Sequence, residues 1–139
     1  MKAVNGACCV NTTQSQIKFE ENKRKILFTN EHRKPYIKVR VDGCAITRGE
    51  RCDHLLLSGN EQEERYVELK GTDVVHAIDQ LKATILTLGE HDGNRHAYVI
   101  CTNVAPALDT RIQKCKKLFR IRFNSELVIK EKQLSVPLG

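Results

Sequence analysis

Apolar and polar positions along this chain repeat with two periods, and the places where the period changes divide it into elements. Tyr36-Ile37-Lys38-Val39-Arg40-Val41 alternates apolar with basic, the mark of a strand with one wet face. Two apolar runs, Cys52-Asp53-His54-Leu55-Leu56-Leu57 and Tyr66-Val67-Glu68-Leu69-Lys70, flank a polar loop over 58–63 and predict a hairpin of buried strands. From Val74 the period lengthens: apolar residues recur at Ile78, Leu81, Ile85 and Leu88, one face of a helix. Gly71 and Thr72-Asp73 start that helix, and Gly89 supplies its C-terminal cap. His96-Ala97-Tyr98-Val99-Ile100-Cys101 predicts another buried strand, and Pro106 opens a second helix through Leu108, Ile112, Cys115 and Phe119.

The remaining stretches carry weaker signals. Residues 1–11 predict an arm or a short edge strand. Thr12 or Thr13 caps a predicted helix through Ile17 and Phe19 to about Lys23. A strand follows at Ile26-Leu27-Phe28-Thr29 and stops before Pro35; Asp42-Gly43 is a turn, and Cys44-Ala45-Ile46 reads as a short strand. Residues 118–123 and 127–132 alternate around Asn124-Ser125 like a closing hairpin. The expected fold is therefore α/β (α+β), with a mixed central sheet flanked by helices. Its 139 residues predict a single domain with its core over about 12–123.

Composition narrows the classes. At 40% hydrophobic and 29% charged the chain can bury a core, and no apolar run approaches the roughly 20 residues of a membrane span. No signal-peptide apolar region opens the sequence, which predicts a cytoplasmic protein with no membrane partner. Its 6 cysteines show no Cys-x-x-Cys spacing, so reduced buried thiols are expected rather than zinc ligands or a disulfide framework. A net charge of +6 favours a polyanionic partner, modestly.

The chemistry concentrates in the central hairpin. A symmetric closure sets Asp53 across from Glu68 and Leu57 across from Glu64, and two facing carboxylates repel. Lys70 shares that face because side chains alternate with period two. A divalent cation, Mg²⁺ or Mn²⁺, gives such a pair a purpose, with the Leu69 backbone carbonyl as a further oxygen ligand. Surface ion pairing of strand-end charges is the plain alternative.

An aspartate, a turn and then Glu-x-Lys resembles the signature of the PD-(D/E)XK nuclease superfamily, here Asp53 … Glu68-Leu69-Lys70, although Cys52 replaces the usual preceding proline. Gln80, on the helix that follows, matches the supporting glutamine of several branches. The resemblance covers the pattern of elements over about residues 17–102 and implies a restriction-endonuclease-like core. It also implies metal-dependent phosphodiester hydrolysis, with catalytic residues Asp53, Glu68, Lys70 and Gln80, acting on DNA in preference to RNA. Glu20, Glu21 and Glu50 are further carboxylate candidates; His54 falls on the opposite face and His76 reads as an ordinary helix residue.

Arg48 and Arg51 flank the proposed site, and Lys38 and Arg40 share one strand face; these four are the candidate nucleic-acid contacts. Few aromatic residues argue against base stacking. A chain this short has little room for a separate recognition module, so a homodimer or a subunit of a larger complex is expected. The alternatives are a non-catalytic nuclease-fold protein for nucleic-acid binding or assembly, a regulatory protein with a structural cation, and an RNA-cleaving toxin.

Overall fold

The computed structural model describes residue 2 and residues 4–90 and 93–139; positions 1 and 3, part of the expected arm, lie outside the described residues. The hairpin forms as the apolar runs require: β5 (His54–Ser58) pairs antiparallel with β6 (Glu63–Lys70), with Leu57 opposite Glu64 and His54 opposite Val67. On β5's other side lies β4 (Tyr36–Arg40), edged by the short β1 (Cys9–Thr12). On the other side of β6, β7 (Asn94–Cys101) and β8 (Ser125–Glu131) run parallel to it. The direction changes because parallel neighbours need a crossover, and α1 (Val74–Leu88) and α2 (Asp109–Phe123) supply the two. The result is an α+β fold whose six-stranded mixed sheet has the order β1-β4-β5-β6-β7-β8.

Both helices pack on one face of this sheet. Ile78, Leu81 and Ile85 of α1 and Phe119 of α2 meet Val39, Leu55, Tyr66, Ala97 and Val99 in one core. Asp73 caps α1 by accepting from the His76 amide at 3.0 Å, and Gly89 ends it, as the sequence predicts.

A second, three-stranded sheet covers the opposite face, and this is the main correction to the sequence reading. The segment predicted as a helix to Lys23 is β2 (Gln16–Glu21), hairpinned to β3 (Arg24–Thr29). Apolar residues at 17 and 19 alternate with polar neighbours, a period of two that seats Ile17 and Phe19 inward. Asn22 and Lys23, at φ +49° and +67°, make the two-residue turn whose twist matches paired strands. The predicted closing hairpin over 118–132 is also corrected. Residues 118–123 finish α2, which stops at Asn124 in the left-handed conformation, φ +49°. The chain then forms β8 and turns into β9 (Gln133–Pro137), which runs parallel to β3. Ile17, Ile26, Phe28 and Leu138 pack on Leu56, Val67, Tyr98 and Ile100. Each such side chain contributes about 2 kcal/mol by leaving water, which fixes the small sheet to the large one.

Cys44-Ala45-Ile46 forms only a bridge from Ile46 to Asp42. The cysteine expectation fails at one pair: Cys8 and Cys44 form a disulfide, with Cα atoms 5.7 Å apart. Spacing along the chain could not foresee it, because the contact arises where the N-terminal turn folds back on the loop after β4. Cys9, Cys52, Cys101 and Cys115 are free thiols.

Candidate metal-binding carboxylate site

Glu68 lies near the C-terminal end of β6 and Asp53 just before β5. Continuing the hairpin register by one step sets them opposite each other on the helix-covered face, as the sequence predicts. Three hydrogen bonds hold Asp53 there. Its Oδ2 accepts from the Leu69 amide at 2.9 Å, and its carbonyl accepts from the amides of Val41 at 3.0 Å and Asp42 at 3.3 Å. The preceding residue is fixed as well. The Cys52 amide donates to Thr84 Oγ1 at 2.7 Å, and that hydroxyl donates to the Gln80 carbonyl at 2.9 Å. This bridge ties the mid-section of α1, with Gln80 on it, to the start of the carboxylate strand. Sequence reasoning misses Thr84, yet a threonine on the apolar stripe one turn after Gln80 is a visible signal.

The pair is electrostatically uncomfortable. Glu68 is only 3% exposed. Burial, followed by the charge of Asp53, pushes its pKa from 4.5 to about 8, against the opposing pull of Lys70. Burial raises Asp53 too, with Asp42 adding to the shift, while the Leu69 amide and Lys70 oppose it. Burial and the facing carboxyl therefore favour the protonated form of Glu68, which shares a side-chain hydrogen bond with Asp53. Its Oε1 is buried with no hydrogen-bond partner, and so is Oε1 of Gln80. Buried acceptors left unpaired cost about 1–3 kcal/mol each, so both are places where a ligand would be stabilising.

The donor set suits a hard divalent cation: two carboxyls and a nearby carbonyl, all oxygen. Among the described residues no group of three or more His, Cys, Asp or Glu side chains gathers to hold a metal. The pair therefore depends on the Leu69 carbonyl, water or substrate to complete a coordination shell.

The other candidates divide by sheet face. Arg51 lies beside the site but is already bound, its Nε to Asp42 Oδ1 at 2.8 Å and its NH1 to the Gly49 carbonyl at 2.7 Å. Arg48 is exposed in the same loop. Lys38 and Arg40 share a strand face as expected, but it is the face under the small sheet. Lys38 Nζ sits 5.0 Å from the Phe19 ring centroid and reaches the Lys18 carbonyl at 3.3 Å. Period-two alternation therefore places Lys38 and Arg40 on the face away from Asp53 and Glu68. Glu20 and Glu21 are strand residues of β2 rather than helix carboxylates, and Glu20 pairs with Lys18 at 3.5 Å. Glu50 meets His76 Nε2 at 3.3 Å. His54 stacks on Phe19, 4.6 Å between centroids, on the far face as predicted.

A second buried polar cluster escapes a reading of the sequence. Glu64 and Arg95 form an ion pair at 2.7 Å, with side chains 0% and 7% exposed. Tyr66 and the Glu90 amide also donate to Glu64, and Arg95 caps α2 through the Phe123 carbonyl at 2.9 Å. Its groups satisfy one another, so it reads as a structural tie between β6, β7 and α2.

No protein-family model, curated protein or solved structure matches the chain. Among the described residues no helix is long and apolar enough to cross a membrane.

Proposed function

We propose that this protein is a divalent-metal-dependent nuclease of the PD-(D/E)XK type, with a restriction-endonuclease-like core, that hydrolyses phosphodiester bonds in nucleic acid, DNA in preference to RNA. One observation carries the reading: a buried Glu68 carboxyl faces the half-buried Asp53 across a hairpin, with a lysine on the same face and an unpaired Glu68 oxygen. Such a pair costs stability without a cation, and carboxylates with oxygen co-ligands are what Mg²⁺ or Mn²⁺ takes. Asp53, Glu68 and the Leu69 carbonyl would hold it. When bound, the cation polarises a phosphate and makes a nearby water more acidic.

The chain's own groups supply the rest. Lys70 puts an ammonium on the same face, where it orients the attacking water and offsets negative charge developing on the phosphate oxygens. Gln80, on the helix whose backbone the Thr84–Cys52 bridge ties to the carboxylate strand, offers a side-chain amide to that water or to a phosphate oxygen. Cutting both strands of a duplex would take two copies, or this chain as one subunit of a larger assembly. A cytoplasmic location belongs to the same proposal.

The test is cleavage of supercoiled and linear DNA, single-stranded DNA and RNA with Mg²⁺, Mn²⁺ or EDTA. Wild type is compared with Glu68→Ala and Lys70→Ala. Metal-dependent cutting that both substitutions abolish is the expected result. If wild type cuts nothing, titration calorimetry with Mn²⁺ decides: binding lost in Asp53→Asn and Glu68→Gln leaves an enzyme awaiting a partner, and no binding refutes the catalytic reading.

A further inference from the structure

The positive charge of the chain is concentrated on one helix. α2 carries Arg111, Lys114, Lys116, Lys117, Arg120 and Arg122 against a single acidic residue, Asp109, a balance of +5. The whole chain has 23 basic and 17 acidic residues, so everything outside α2 holds 17 basic against 16 acidic, a balance of +1. Elsewhere several basic side chains are partnered: Lys18 with Glu20, Arg51 with Asp42, Arg65 with Glu63, Lys82 with Asp79, and Arg95 with Glu64. Among the described residues none of the six on α2 has an ion-pair partner.

Two structural reasons for basic residues account for only part of the set. Arg120 and Arg122 sit in the last turn, where cations complement the helix dipole, and Arg122 also lies over the Phe123 ring at 5.7 Å. Arg111 lies in the first turn, where the dipole disfavours a cation, and Lys114 lies in the second, where the dipole gives it no support. Arg111, Lys114, Lys117 and Arg120 follow one another at i, i+3, so each is the neighbour of the next on the helix surface, and like charges there repel. All four are exposed, while Ile112, Phe119 and Phe123 turn inward.

Position supplies the remaining argument. β7 ends at Cys101, directly beside Lys70 at the end of β6, and the chain passes from there into α2. α2 therefore starts at the carboxylate edge of the sheet and runs away from it on the same face. It is about 22 Å long at 1.5 Å per residue.

We infer that the outward row Arg111, Lys114, Lys117 and Arg120 is the surface that binds the phosphate backbone of a nucleic acid and leads it toward the Asp53–Glu68 edge. The choice of nucleic acid among polyanions rests on the nuclease reading, but binding is measured without metal and so can fail separately from cleavage.

The experiment is fluorescence anisotropy of labelled duplex and single-stranded 20-mers in EDTA, across a KCl series. Wild type is compared with Lys114→Ala/Lys117→Ala and with a charge-matched pair on the other side of the molecule, Lys18→Ala/Lys34→Ala. Circular dichroism checks that each is folded. Removing two phosphate contacts flattens the slope of log K against log salt by about 1.8 for duplex or about 1.4 for single strands. At 0.1 M salt that is roughly 60-fold or 25-fold weaker binding, while the charge-matched pair should track wild type. Equal losses in both double variants would mean only net charge matters, and the inference fails. It fails equally if the helix variant binds like wild type, or if wild type binds neither nucleic acid. Binding to vesicles containing phosphatidylserine, lost in the helix variant while oligonucleotides do not bind, would assign the helix to a membrane surface instead.

Discussion

Replacing Glu68 by glutamine should make the metal-free protein more stable at high pH and leave it unchanged at low pH. The folded state holds the Glu68 proton up to about pH 8, whereas the unfolded chain releases it near 4.5. Between those values the native state binds more protons, so the group's contribution falls as pH rises through that window and is constant outside it. A rise from 4.5 to about 8, at about 1.36 kcal/mol for each tenfold change in proton affinity, sets a ceiling near 5 kcal/mol. Asp53 is raised as well and titrates together with Glu68, so the figure is an upper bound. Glutamine keeps the shape and a donor toward Asp53 but never ionises. Urea unfolding in EDTA at pH 3.5, 6 and 9 should give matched midpoints at pH 3.5 and a higher midpoint for Glu68→Gln at pH 9, with unchanged m. Comparing variants cancels the titrating groups other than Asp53, which is coupled to Glu68. A variant that is less stable at pH 9, or offset equally at all three values, would refute the buried-pair argument and the functional reading built on it.

Metal should reverse the same penalty: Mn²⁺ at 100 times its dissociation constant should stabilise wild type at pH 8.5 by about 2.7 kcal/mol in a thermal shift, and Glu68→Gln far less. Because bound metal displaces the Glu68 proton, calorimetry below pH 8 should also show proton release through dependence on the buffer's ionisation heat. Arg95→Met removes one side of the buried ion pair with Glu64 and should cost about 3–5 kcal/mol in urea unfolding, a loss that Mn²⁺ does not selectively restore. Cys8→Ser/Cys44→Ser opens a loop with a sequence separation of 36 and should cost up to about 4 kcal/mol by denaturation. Tris(carboxyethyl)phosphine should lower the wild-type midpoint and leave that variant's unmoved.

The elements that position the carboxylates are legible in the sequence because each is specified locally. The β5–β6 hairpin follows from two apolar runs around a polar loop, and counting outward from that loop is enough to set Asp53 opposite Glu68. α1 follows from a sustained helical period with both ends marked. The segment at Gln16–Glu21 is short enough that Ile17 and Phe19 fit a helix turn or a strand, and only pairing with β3 decides. The chain after Asn124 cannot be placed from sequence, because β8 and β9 take their meaning from strands far away, β7 and β3. Facing is equally hidden. Alternation shows that Lys38 and Arg40 share a side, but which side the helices cover depends on the second sheet. The disulfide, the Glu64–Arg95 tie and the Thr84–Cys52 bridge join residues between 31 and 36 positions apart. Periodicity carries no information at that distance. Local order is written in the spacing of side chains, whereas burial, charge coupling and the isolation of a basic helix arise only when distant segments exclude water from one another.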